Sequence, residues 1–229
     1  MAVVIFAWTS IGQTQGFSVL LIPLTEQLEI SSRDVALIFL VGAFGGAFFM
    51  PFVGRLLDER GARRILIAST VLYAVAFCVL ALVPIKSVAI VALLVVRLIG
   101  SIVLWLGASV LVSWWFTHKR GLALGVLVGA GSALLSIMAY ALSIAIDQAG
   151  FETSFLVLAA LACVVLLPIL IWGVVDHPGQ IGQYPDGQVP AGEQEPRGPV
   201  HEKLAGVTAG EAYRTGFAWV ITLGAGLIA

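Results

Sequence analysis

Charge is what this sequence has least of. Lysine, arginine, aspartate and glutamate make up 11% of its 229 residues, against 60% hydrophobic. A soluble domain carries roughly 25% charged residues, so a freely soluble protein is excluded. The charges nearly cancel, 12 basic against 13 acidic, and no nucleic-acid partner is expected. The two cysteines, Cys78 and Cys163, lie inside apolar runs and read as small buried hydrophobes. Three histidines, His118, His177 and His201, stand far apart, so no metal site is expected. There is no phosphate-binding glycine loop and no nucleophile constellation; neither a catalytic residue nor a cofactor is expected, and the chain reads as a non-enzyme. The first apolar run has no basic leader and is too long for a cleavable signal peptide.

What the sequence has is long apolar runs. A membrane-spanning helix needs about 20 apolar residues, because lipid cannot satisfy a bare backbone. Six runs qualify, at residues 2–24, 35–57, 65–84, 88–116, 121–146 and 154–175. A seventh begins near Gly216, with about 14 residues to Ala229, and is expected to be truncated there. The expected fold class is an all-α membrane protein. Its organisation reads as a six-helix transmembrane bundle over 1–175, a linker over 176–207 and the truncated start of a further helical half over 208–229. The linker is rich in proline, glycine, glutamine and glutamate and is expected to carry little fixed structure. Ser31 and Asp34 form a plausible helix cap, and Thr208 with Glu211 repeats it.

Charge placement orients the bundle. Arg55, Arg60, Arg63 and Arg64 follow the second run, Lys119 and Arg120 follow the fourth, and Arg197, Lys203 and Arg214 lie in or near the linker. The opposite loops hold only Arg33 and Lys86 among basic residues, beside Glu26, Glu29, Asp34, Asp147 and Glu152. The positive-inside rule places the N-terminus, the basic loops and the linker in the cytoplasm, and the expected location is a plasma (inner) membrane. An internal repeat agrees with this. D-x-x-G occurs at Asp58 and again at Asp147, an offset of 89 residues that also carries Gly42 onto Gly131. The offset lays the first three runs over the next three with opposite orientation, two inverted three-helix units.

The turn GRLLDERGARR contains G-x-x-x-D-x-x-G-x-R at Gly54, Asp58, Gly61 and Arg63, with Arg64 beside it. It resembles the cytoplasmic motif between helices 2 and 3 of the major facilitator superfamily, departing at Glu59 and Ala62. The resemblance implies that Gly54 lets helix 2 approach a helix of a second six-helix half, with Asp58 near that helix's positive end. A second segment resembles the monocarboxylate and oxalate/formate porter branch, through Trp115, Phe116, Lys119, Arg120, Gly121, Leu122, Ala123 and Gly125. Pro178, Gly182, Pro185, Asp186 and Gly187 are similar to that branch's central loop; Glu152 departs from it. The resemblance implies a transporter whose partners are a small solute, the lipid bilayer and a missing C-terminal six-helix half.

Several residues are candidates for the substrate pathway. Arg97 is the one full charge well inside a run, and intramembrane charge is costly and usually turned inward. Gly100, Ser101, Leu104 and Ala108 share its face, with Trp105 on the flank. Arg97 reads either as an anion anchor or as a structural arginine bonded to backbone carbonyls. The first run has a soft polar face of Thr9, Gly12, Gln13 and Gly16, with Gln13 the pathway candidate, but no charged residue before Glu26. The fifth run carries a stripe of Gly121, Gly125, Gly129, Ser132, Ser136, Tyr140, Ser143 and Asp147. Its glycines read as helix-packing positions, and Tyr140 as a phenol able to reach a ligand or Arg97. No deep Asp or Glu is present to carry a proton. The expected function is secondary active or facilitative transport of a small organic anion by alternating access. The alternatives are efflux of hydrophobic compounds and a non-transporting membrane receptor.

Overall fold

In the computed structural model, residues 1–27 and 31–187 are described, and every regular element among them is helical. The expected seventh helix and the linker beyond residue 187 lie outside the described residues. Five helices are long and apolar enough to cross a membrane: Arg33–Arg60, Ala62–Leu82, Lys86–Trp115, Arg120–Ala149 and Phe151–Gly173. Bulky apolar side chains cover the outside, including Phe44 at 72% exposure and Trp172 at 83%. Water would drive such a surface to aggregate, whereas hydrocarbon does not penalise it. The chain is a multi-pass integral membrane protein.

The first apolar run corrects its expectation of one unbroken helix. It forms α1 (Ala2–Ala7), continues as a tighter turn over Trp8–Gly12, breaks at Gln13, and resumes as α2 (Thr14–Gln27). Gln13 is extended, with φ −99° and ψ 176°. Next come α3 (Ser32–Arg60) and α4 (Ala62–Leu82). The fourth run is α5 (Lys86–Leu98) and α6 (Trp105–Trp115), joined by a wide π-helical turn over Ile99–Leu104. Then follow α7 (Arg120–Ala149) and α8 (Phe151–Leu161), with further π turns in the run after α8.

Boundaries follow local chemistry. Ser31 caps α3, its Oγ accepting from the Asp34 N–H at 3.1 Å, as the S-x-x-D spacing predicts. At the same end, Lys86 pairs with Asp34 at 3.1 Å, both half exposed. The two D-x-x-G turns close alike: Gly61 and Gly150 both have φ 82°, a conformation that only glycine adopts cheaply. Each donates its N–H back four residues, to Leu57 and to Ile146.

Packing puts α3 against α5, α7 against α1, and α4 against α8. The α4–α8 seam is aromatic. Tyr73 and Phe77 lie 4.4 Å apart between centroids, Phe77 meets Phe155 edge-on at 5.7 Å, and Phe155 meets Phe151 at 4.5 Å. All four are at most 2% exposed, and such pairs add about 0.5–1.5 kcal/mol each beyond area burial.

The segment after the last span corrects a second expectation, that of little fixed structure from residue 176 onward. Up to Gly187 it is laid against the bundle. The Trp115 indole donates to the Val175 carbonyl at 3.0 Å, and Trp114 stacks on His177 with centroids 4.2 Å apart. Short turns follow at Pro178–Ile181 and Pro185–Gly187.

Candidate functional site

The site forms where the first and fourth spans both depart from regular helix. Small residues let the backbones touch there. A Cβ on Gly12 would sit 2.7 Å from the Val96 carbonyl oxygen and 2.8 Å from the Gly100 Cα. A break inside a membrane strands backbone groups, and each must find a partner. Two carbonyls of the broken stretch do. The Tyr73 hydroxyl donates to the Trp8 carbonyl at 3.2 Å; polar side chains there are also satisfied, Ser10 donating to the Leu135 carbonyl at 2.8 Å and the Gln13 amide to the Thr9 hydroxyl at 3.1 Å. The Gly12 carbonyl accepts from a terminal nitrogen of Arg97.

Arg97 is 8% exposed. Its guanidinium lies over the Phe39 ring at 4.0 Å, with the Phe17 ring at 5.9 Å. Such contacts stabilise a desolvated cation by about 2 kcal/mol. Gly42 presses against the Arg97 stem, leaving no room for a larger residue. Among the described residues the Nε has no hydrogen-bond partner and no carboxylate pairs with the charge. Arg97, Gln13, Ser101 and Trp105 together line a cleft of 390 Å³, with Thr14 and Gly46 among its other walls. That size suits a small solute. Ser101 donates to the Arg97 carbonyl, which spends its hydroxyl proton on the helix but leaves its oxygen toward the cleft as an acceptor.

A second constellation lies at the end of the bundle where the basic loops sit. Asp58, Arg63, Arg64, Asp176 and Gln180 surround a polar pocket of 520 Å³. The Arg63 N–H donates to the Asp176 carboxylate at 2.7 Å, and the Arg63 side chain donates to the Ile171 carbonyl. Asp176 thereby caps the start of α4, where a carboxylate meets the positive helix end. Asp186 does the same ahead of α7: its carboxylate accepts from the N–H groups of Thr117 at 3.0 Å, His118 at 2.5 Å and Lys119 at 3.3 Å. Desolvation pushes the Asp186 carboxyl up, but the N–H groups of His118, Thr117 and Lys119 outweigh it and hold it below the usual carboxylate range.

The expected pathway residues divide. Gln13, Arg97, Ser101 and Trp105 come together; Tyr140 does not. It is 69% exposed on α7 and does not line the cleft with Arg97. Among the described residues a Cβ on Gly121, Gly125 or Gly129 would meet nothing within 4 Å, nor would one on Gly54. The close-packed glycine of α7 is Gly131, pressed on Phe6. Of the basic motif, Gly61 takes its positive φ and abuts Asp176, while Asp58 is exposed. Sequence reasoning missed Asp176, Phe17, Phe39 and the role of Gly42. The signal for the last was present, since a glycine recurring in the repeat marks a close approach.

Over 128 residues the chain is 31% identical to an uncharacterized MFS-type transporter, YcxA, of Bacillus subtilis (strain 168); the match takes in 56% of this chain and 31% of that protein's length. Residues 3–229 match the Major Facilitator Superfamily. With nearly the whole chain matched, buried helix breaks lining a polar cleft and apolar helices able to span a bilayer, the chain belongs to the Major Facilitator Superfamily.

Proposed function

We propose that this chain forms one half of a transporter that moves a small organic anion, such as a monocarboxylate, by alternating access. The observation that carries the reading is Arg97, a buried cation with no carboxylate partner among the described residues, lining a cleft of 390 Å³. A lone charge at membrane depth is expensive. A solute carboxylate entering the cleft supplies the missing counter-charge, so binding removes a cost that the empty site bears.

Three further features support the reading. The matched relative is an MFS-type transporter, and the match spans under a third of its length, which leaves room for a second six-helix half. The open stripe of Gly121, Gly125 and Gly129 on α7 and the open Gly54 on α3 are surfaces for that half. The equivalent Gly61 and Gly150 turns, with α3 on α5 mirrored by α7 on α1, fit two inverted three-helix units, counting the broken first span as one. The positive-inside bias then puts the basic end, the N-terminus and the linker in the cytoplasm.

Efflux of hydrophobic compounds draws on a different observation, an apolar cleft of 570 Å³ walled by Leu111, Trp115, Leu122 and Val126 with Lys119 at its edge. The two readings separate in proteoliposomes holding the full-length protein. Arg97→Gln is expected to reduce carboxylate uptake about tenfold or more, the loss of one charge-assisted contact, with Arg97→Lys retaining part of it. Carboxylate uptake unchanged in well-folded Arg97→Gln protein refutes the anion reading.

A further inference from the structure

The break in the first span does more than accommodate Arg97. In an unbroken helix the Gly12 carbonyl would accept from the Gly16 N–H. Here it is turned to Arg97 instead. The chain passes through the extended Gln13 and restarts as α2, a helix of 14 residues. A restarted helix has free N–H groups in its first turn and the positive end of a dipole worth roughly half a charge. Among the described residues, no carbonyl or side chain accepts from the N–H of Thr14 or Gln15. Thr14 is exposed, and it lines the cleft beside Gln13 and Arg97.

Two independent features thus face one space. One is the uncapped start of α2. The other is Arg97, more than nine-tenths buried, with Nε unpartnered and no carboxylate beside it among the described residues. Both are deficient in negative charge, and both lie in a region where water is scarce and electrostatic attraction is strong. Among the described residues no acidic side chain lines the cleft. The Gln13 amide gives one N–H to Thr9 and keeps a second to donate to an anion.

We infer that the broken first span is an oxyanion cradle. The carboxylate of the solute lies against the Thr14 N–H at the positive end of α2, with Arg97 as its second contact and the Gln13 amide at the rim. The solute class is therefore a small carboxylate whose remaining body fits beside Gly42, Gly46 and Ala47, where the wall is smooth and small. This rests on the organic-anion reading and adds a backbone contact that reading does not require.

The test removes one N–H without unmaking the helix. Proline is well tolerated at the first helical position, and the residue before a proline prefers extended backbone, which Gln13 already adopts. Thr14→Pro therefore deletes the cradle donor, while Thr14→Ala deletes only the side chain. Binding to the full-length protein in nanodiscs is measured by calorimetry with lactate and oxalate, and with lactamide as the uncharged control. Thr14→Pro is expected to weaken lactate binding about tenfold or more, as loss of a hydrogen bond to a charged group does. Thr14→Ala is expected to stay within about twofold of the parent, the scale of an exposed side chain off the ligand. Lactate binding unchanged in Thr14→Pro but lost in Arg97→Gln overturns the cradle and leaves the anion reading standing. Lactamide binding as tightly as lactate overturns both. A second measurement does not depend on the variant's folding: in the parent protein, lactate but not lactamide is expected to slow amide exchange across residues 13–17. Exchange there that is indifferent to lactate, in protein shown by calorimetry to bind it, overturns the cradle.

Discussion

Replacing Gly12 by alanine tests the contact on which the site is built. The added Cβ would lie 2.7 Å from one backbone atom of the fourth span and 2.8 Å from another. Neither can rotate away as a side chain could. Carbon atoms settle at about 3.5–4.0 Å, so the backbones must part by roughly 1 Å or absorb the clash. Absorbing it costs about 1–3 kcal/mol. Parting separates the Gly12 carbonyl from Arg97, and leaving such a buried pair unmade costs about 1–3 kcal/mol. Against either stands a gain of about 0.5–1 kcal/mol from reduced freedom of the unfolded chain. The net is a loss of about 1–2 kcal/mol, or roughly 2–8 °C in melting temperature if the unfolding entropy per residue is that of a soluble domain. Trp8 is 5% exposed in the same turn, so fluorescence in detergent micelles of a protein keeping Trp8 as its one tryptophan of six reports the transition. Gly125→Ala is the control, because its Cβ meets nothing within 4 Å; this chain should be unaffected or gain about 0.5–1 kcal/mol there. A Gly12→Ala protein that melts with or above Gly125→Ala refutes the argument.

Two other outcomes are expected. Asp186→Asn should accelerate amide exchange at Thr117, His118 and Lys119, since the side-chain amide holds those N–H groups more weakly than a carboxylate; in the parent, the depressed carboxyl means the clasp is intact above about pH 4, the ordinary aspartate value, and is lost only as pH falls through the lower folded value. For topology, Lys86→Cys should react with an impermeant maleimide from outside intact cells and Lys119→Cys only after permeabilisation, and the reverse labelling overturns the assigned orientation.

Much of the fold was legible in the sequence because the bilayer imposes a simple rule. Apolar length marks each span, and glycines in D-x-x-G and a serine in S-x-x-D mark where helices stop and start. Gln13, Arg97, Ser101 and Trp105 could be grouped because polarity inside an apolar run is costly and has to converge. The break at Gln13 could not be read. Local propensity favours a continuous helix over residues 2–24, and the break is stabilised by partners far along the chain: Arg97, Tyr73 and Leu135. What Tyr140 meets could not be read for a related reason. Helical spacing assigns residues to one face of α7 but does not say what that face meets, and the buried face proved to be that of Leu127, Gly131, Leu135 and Leu142. The segment after the last span was misread because proline and glycine report a lack of regular structure, and Asp176 and Asp186 fix it through side-chain contacts instead.

Those two aspartates also decide how the end of the segment handles force. Asp176 holds the start of α4, and Asp186 holds the turn ahead of α7. The stretch between them runs like a guy-rope over the basic end of the bundle. A pull arriving from the chain beyond Gly187 is delivered first to the turn before α7, not to the end of the last span, from which the segment emerges. Movement imposed from that direction would tilt α7 while α8 stays seated on its aromatic seam with α4.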